Sequence, residues 1–160
     1  MDNFSEFYRR HRHSLLGYLI RMTSDASLAM DIVQESFLRY LDRYGPDNAN
    51  RLLLFKIARN ALIDASRKEK HHCLFTDAEN PVENDPETKY QIRAEYQRVL
   101  DGMQQLEKEE REILAMTVSR DLSYREIGEI TGLSEGNVRV KVHRCRLKLR
   151  QILQQGEEKI

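Results

Sequence analysis

The residues best equipped for chemistry in this chain are cations, and they stand in one short run. Between Arg139 and Arg150 the sequence carries Arg139, Lys141, Arg144, Arg146, Lys148 and Arg150, with no acidic residue among them. Cations at that density repel one another unless an anion lies against them, and the phosphate backbone of DNA is the obvious anion. A second set, Asp31, Gln34, Glu35 and Arg39, falls at i, i+3, i+4 and i+8 and so shares one outward helical face. By its chemistry alone that face is merely solvated and polar. Asp31, Glu35 and Asp64 lack the surroundings of a metal or catalytic carboxylate cluster, so no catalytic residue is assigned. His71, His72 and Cys73 are adjacent rather than spaced for tetrahedral coordination, and no further ligand pair is in sight. Neither a metal nor another cofactor is expected.

The element that must position the cations is the stretch Leu122–Arg150. Ser123 followed three residues later by Glu126 is a capping box, and Leu122 with Ile127 can close a hydrophobic staple around it. The signal repeats at Leu133, Ser134 and Val138, with Asn137 in place of the glutamate. Gly132 lies between the two starts, where a left-handed residue would end the first helix. A short helix, a tight turn and a longer helix make a helix-turn-helix, with Ile127, Leu133, Val138 and Val142 as its shared apolar contact and Gly128 allowing a close crossing. The second helix of such a motif enters the major groove by its N-terminal residues. That geometry nominates Glu135, Asn137, Arg139, Lys141, His143 and Arg144 for base or phosphate contact.

Composition bounds the rest. At 160 residues the chain is one ordinary domain or two small ones, and its formal net charge is +0. The charge is segregated: basic residues gather in Lys56–Lys70 and Arg139–Arg150, acidic ones in Asp77–Glu87. Two cysteines, Cys73 and Cys145, make no disulfide framework and fit a reducing cytosol. No apolar run resembles a signal peptide or approaches the ~18 residues of a membrane span, so a cytoplasmic protein without membrane insertion is expected. Seven glycines, three prolines and helical periodicity nearly throughout argue for an all-α fold.

In order, Phe4, Phe7, Tyr8, His11, Leu15, Leu19 and Met22 make a first amphipathic helix. Ser24 or Asp25 can cap the next, from about Ser27 to Tyr44, whose stripe is Ala29, Ile32, Val33, Phe37, Tyr40, Leu41 and Tyr44. Gly45-Pro46 stops it, and a third helix runs from about Arg51 to Lys70. Residues 71–88 hold two prolines and five acidic residues without a helical period, which reads as a flexible acidic linker. A fourth helix presents Tyr90, Tyr96, Val99, Leu100, Met103 and Leu106, and a fifth, about Lys108 to Ser119, presents Ile113, Leu114 and Val118. The expected architecture is two small helical domains, 1–70 and 89–160, the second containing the helix-turn-helix. Each is near the size where a single core is marginally stable.

Three segments together resemble a known family. DIVQESFLRYL resembles the core-polymerase-binding segment of bacterial sigma factors, LLLFKIARNALIDASRKEK their promoter-melting and minus-ten-reading segment, and SYREIGEITGLSEGNVRVKVHRCRLKLR their minus-35-reading helix-turn-helix. Their order, with an acidic linker between the second and third, is similar to the minimal two-domain extracytoplasmic-function (ECF) group of the sigma-70 family. The resemblance implies that Asp31, Gln34, Glu35 and Phe37 lie on or beside the face that docks on core RNA polymerase. It implies that Asn60 sits beside the pocket for a flipped base of the non-template strand, with Lys56, Arg59, Arg67, Lys68 and Lys70 meeting the DNA backbone. Arg125 joins the minus-35 set. The implied function is a non-enzymatic factor that directs polymerase to specific promoters, held inactive by an anti-sigma factor.

Two departures from the family pattern stand out. Leu53 or Leu54 occupies a position where many members carry an aromatic residue, leaving Phe55 and Tyr44 as the nearby rings, and the loop Gly45–Asn50 differs. Cys145 replaces a common alanine, a small-for-small change. Two other readings follow from the same residues. A stand-alone helix-turn-helix regulator would bind duplex DNA without polymerase, usually as a dimer, but no heptad seam is present. A recombinase or transposase would need a catalytic Ser, Tyr or carboxylate cluster.

Overall fold

The computed structural model describes residues 3–68, 86–119 and 121–158, without the side chains at 67, 68, 86–92 and 158. Three helices form an N-terminal module: α1 (Asn3–Thr23), α2 (Ala26–Tyr44) and α3 (Arg51–Lys68). Four more form a C-terminal module: α4 (Pro86–Gln104), α5 (Lys108–Val118), α6 (Tyr124–Thr131) and α7 (Glu135–Glu158). No strand occurs among the described residues. Residues 71–85 of the expected linker lie outside them, as do His71, His72, Cys73 and Lys70, while its last three positions, 86–88, already belong to α4.

Local chemistry sets the helix ends. Asp25 caps α2 by accepting a 3.1 Å hydrogen bond from the Leu28 amide, after Ser24 turns the chain with φ 54°. Gly45 ends α2 at φ 77°, its amide donating to the Leu41 carbonyl. The following loop is pinned by Tyr40, whose hydroxyl donates to Asn48 O and accepts from the Asn50 amide, both at 2.8 Å. Asn50 Oδ1 in turn accepts from the amides of Leu52 and Leu53, starting α3.

Each module buries the stripe its periodicity predicts, with exceptions. In the N-terminal module Leu15, Tyr18, Leu19, Ile32, Leu54 and Phe55 are buried, and Phe37 sits among Phe4, Phe7 and Tyr8 with ring centroids 4.7–6.2 Å away. In the C-terminal module Leu100, Met103, Ile113, Leu114 and Ile127 are buried. Tyr96 and Val118, expected inside, are 41% and 52% exposed. Val118 is the last residue of α5, and Tyr96, at the edge of its stripe, turns its hydroxyl to Arg21 instead of entering the apolar core.

The modules also pack on each other, which helical periodicity did not expose. Helix α1 lies against α4 and α5, and α3 lies against α6, so one apolar cluster runs through both. Polar contacts lock the junction. Arg21, nearly buried, donates to Ala115 O at 3.1 and 2.8 Å, and Gln104 returns a bond to Arg21 O at 3.2 Å. Burial pushes the Arg21 guanidinium below its ordinary pKa. His11 Nδ1 lies 3.2 Å from Asp121, and Ser14 donates to Ser119 O. Arg51 reaches Glu126 at 3.0 and 3.2 Å. Beside this seam the Tyr18 hydroxyl is buried without a hydrogen-bond partner among the described residues, and desolvation first, then Glu112, pushes its pKa well up.

Candidate nucleic-acid interface

The helix-turn-helix is built by the grammar its sequence carries. Ser123 Oγ accepts from the Glu126 amide at 3.1 Å while Glu126 accepts from the Ser123 amide at 3.1 Å. Gly132 ends α6 at φ 82°, and the amides of Gly132 and Leu133 both donate to Gly128 O. Ser134 Oγ then accepts from the Asn137 amide at 3.2 Å and starts α7. Gly128 is required at close quarters, though by the turn rather than by α7 itself. A Cβ there would stand 2.4 Å from Leu133 O.

Helix α7 buries Val138, Val142 and Cys145 and turns Asn137, Arg139, Val140, His143, Arg144, Arg146 and Arg150 outward. Desolvation by burial, chiefly, raises the Cys145 thiol pKa, which suits an inert packing residue. His143, Arg144, Arg146 and Arg150 have no side-chain partner among the described residues, and all four are exposed. Arg139 approaches Glu135 only at 3.6 Å, and Arg125, on α6, approaches Glu129 at 3.7 Å, both exposed i,i+4 pairs of little strength. Lys141 is different. It was expected to meet DNA, but it leans sideways to a hydrogen bond with Glu109 of α5. Lys148 likewise bonds Glu110 at 2.9 Å and holds that carboxyl below the usual range. The basic helix is therefore strapped to α5 by two of its cations while the rest point away.

On α2, Asp31, Gln34 and Glu35 are exposed on one face, with Glu35 bonding Arg39 at 2.6 Å. Phe37 is not on that face. It is 3% exposed and wedged into the aromatic cluster, so it supports the surface from beneath rather than contacting a partner. Two apolar residues take its place in solution: Leu38, 66% exposed, and Met30, 44% exposed. Projecting the helix would have found them, because residues 30, 34 and 38 align at four-residue spacing.

Among the described residues of and around α3, Asn60 is exposed and its amide makes no hydrogen bond, and Lys56 is half-buried and has no ion-pair partner. Arg59 is not free to meet a DNA backbone in this packing. Its Nε donates to both oxygens of Glu112 at 3.0 and 3.1 Å, and its Nη1 to Ile130 O at 3.3 Å. Glu112, buried in α5, was missed by sequence reasoning, since an acid inside an apolar stripe carries no local sign of its partner. The Arg67 and Lys68 side chains lie outside the described residues. Phe55 is fully buried and Tyr44 packs on Tyr40, so Phe55 offers no stacking face. No group of three or more His, Cys, Asp or Glu side chains suited to a metal occurs among the described residues. No helix among them is long and apolar enough to cross a membrane.

Fold and site together define a two-module helical protein with a basic helix-turn-helix at one end. Comparison with known families gives its kind. Residues 7–72 match Sigma-70 region 2, and residues 96–149 match Sigma-70, region 4. RNA polymerase sigma factor CarQ of Myxococcus xanthus is 32% identical over 163 residues, covering 95% of this chain and 90% of CarQ. ECF RNA polymerase sigma factor SigM of Bacillus subtilis is 31% identical, covering 94% and 95% respectively. The chain belongs to the extracytoplasmic-function sigma factors of the sigma-70 family. Two solved structures share its fold. The sigma factor RpoE in complex with the anti-sigma factor NepR, from Bartonella quintana, gives a TM-score of 0.71 at 20% identity, covering 94% of this chain and 96% of RpoE. CnrH in complex with the cytosolic domain of CnrY gives 0.69 at 24% identity, covering 95% and 88%.

Proposed function

We propose that this sigma factor carries core RNA polymerase to its promoters by three separate surfaces and performs no catalysis of its own. Asp31, Gln34 and Glu35, with Leu38 and Met30 as apolar anchors, dock on polymerase in the bacterial cytoplasm. Asn60 and Lys56 meet the minus-ten strand, joined by Arg59 once it leaves Glu112 and by Arg67 and Lys68, which follow in the sequence. Arg125, Glu135, Asn137, Arg139, His143 and Arg144 meet the minus-35 element. Residues 1–70 and 89–160 divide these tasks, and the acidic segment 71–88 joins them. An anti-sigma factor would restrain the protein, as the solved complexes of RpoE with NepR and of CnrH with CnrY suggest by analogy.

The observation that carries this reading is the outward face of α7. It is capped by Ser134, bonded to α5 through Lys141 and Lys148, and free of acidic partners among the described residues at His143, Arg144, Arg146 and Arg150. Capture of core polymerase tests the docking surface. Replacing Asp31 and Glu35 together by Ala should abolish capture while leaving the helical content unchanged. Undiminished capture by the double variant would refute the assigned face.

A further inference from the structure

We propose that Val140 reads the 5-methyl group of a thymine in the upstream promoter element, an apolar contact between flanking polar ones. The inference rests on the reading of α7 as the helix that enters the major groove.

Successive residues of an α-helix are turned by about 100°, so the face opposite a buried stripe can be read directly. Val138, Val142 and Cys145, at 0%, 2% and 2% exposure, mark the buried side of α7. Val140 lies diametrically opposite and is 47% exposed. Gly136 and Arg144, one turn to either side, and Asn137 share its outward face and are all exposed. Nothing lies within 4 Å of a Cβ built at Gly136, so the helix surface before Val140 is bare backbone. That lets the face come close to another surface.

Nothing local favours valine there. A β-branched residue is a weaker helix former than Ala, Lys or Arg, and its methyls gain nothing from water. Its place in the second turn of α7 is where helix-turn-helix proteins reach base edges. In the major groove thymine alone presents a methyl group, and small apolar side chains are its partners. The neighbours have matching capacities: an asparagine amide can pair with adenine and an arginine fork with guanine. Lys141 and Lys148, drawn aside to Glu109 and Glu110, do not crowd Val140. A face that is cationic at its edges and apolar at its centre suits a thymine-containing groove better than a protein partner.

The test uses the full chain assembled with core polymerase. Duplexes randomised across the upstream element are selected for binding, and each thymine in the selected sequence is then exchanged for deoxyuridine, which lacks only the methyl. Binding by the unaltered protein should fall about fourfold at one position, the worth of one buried methyl group. Val140→Ser, which replaces both methyls by a hydroxyl at this exposed position, should bind the thymine and deoxyuridine duplexes within about twofold of each other there. If no thymine responds, or if the full penalty persists in Val140→Ser, the proposal is wrong. If selection returns no preferred sequence, the upstream-reading role of α7 fails, and this inference with it.

Discussion

Glu112→Gln should weaken the packing between the modules yet strengthen promoter-strand binding. The substitution preserves shape and leaves an acceptor for Arg59, but it exchanges a charged partner for a neutral one. The Glu112 side chain is 8% exposed and that of Arg59 30%, so the bond is screened only on one side. A hydrogen bond to a charged group contributes about 1.5–3 kcal/mol net and a neutral one about 0.5–1.5 kcal/mol. The exchange therefore costs about 1–2 kcal/mol, a factor of about 5–30 in any equilibrium between packed and separated modules. Arg59 cannot serve Glu112 and a phosphate at once. When the binding-competent form is the minor one, apparent affinity rises in proportion to its population. Urea titration should show a lower unfolding midpoint, while fluorescence anisotropy with a single-stranded minus-ten oligonucleotide should show tighter binding, by up to about tenfold. Arg59→Ala should lose on both counts. Equal stability, or weaker binding by Glu112→Gln, would refute the competition.

Two further predictions concern the scaffold. Gly128→Ala drives a Cβ to 2.4 Å from the Leu133 carbonyl, a backbone atom that moves only with the turn, and should cost about 1–3 kcal/mol, or about 3–10 °C in melting temperature. A melting curve unchanged by that substitution would mean that the turn is not as tight as described. The Glu126 carboxyl is held below its usual range, first by Arg51 and then by its cap bonds to Ser123. Because the folded value is depressed, its contribution is complete above the ordinary glutamate value of about 4.3 and is lost as pH falls through the lower folded value. Melting temperature should thus be level down to about pH 5 and decline in more acid solution, less steeply in Glu126→Gln. An acid decline of equal steepness in both proteins would contradict the assignment.

What was legible in the sequence was local. Ser123, Glu126, Gly132 and Ser134 each act on backbone within three or four residues, so the turn, the two caps and the left-handed glycine could be read before any fold was known. The polar face of α2 and the basic face of α7 follow from periodicity in the same way. Contacts between Arg59 and Glu112, or between Arg51 and Glu126, join residues 53 and 75 positions apart, and no pattern along the chain pairs them. Lys141 illustrates the consequence: its position on α7 suits DNA, but Glu109 on a neighbouring helix claims it. Phe37 is a different case. A motif places it beside the docking surface, while three aromatic neighbours draw its ring inward. Leu38 and Val140, exposed apolar residues on polar faces, were visible to a helical projection all along.

The measurement closest to the central claim is transcription itself. Core RNA polymerase is mixed with the purified chain on fragmented genomic DNA, and the 5′ ends of the transcripts are sequenced. Discrete starts that require the chain are expected, each preceded by common minus-ten and minus-35 sequences at fixed spacing. Starts that are scattered, or identical without the chain, would contradict that claim.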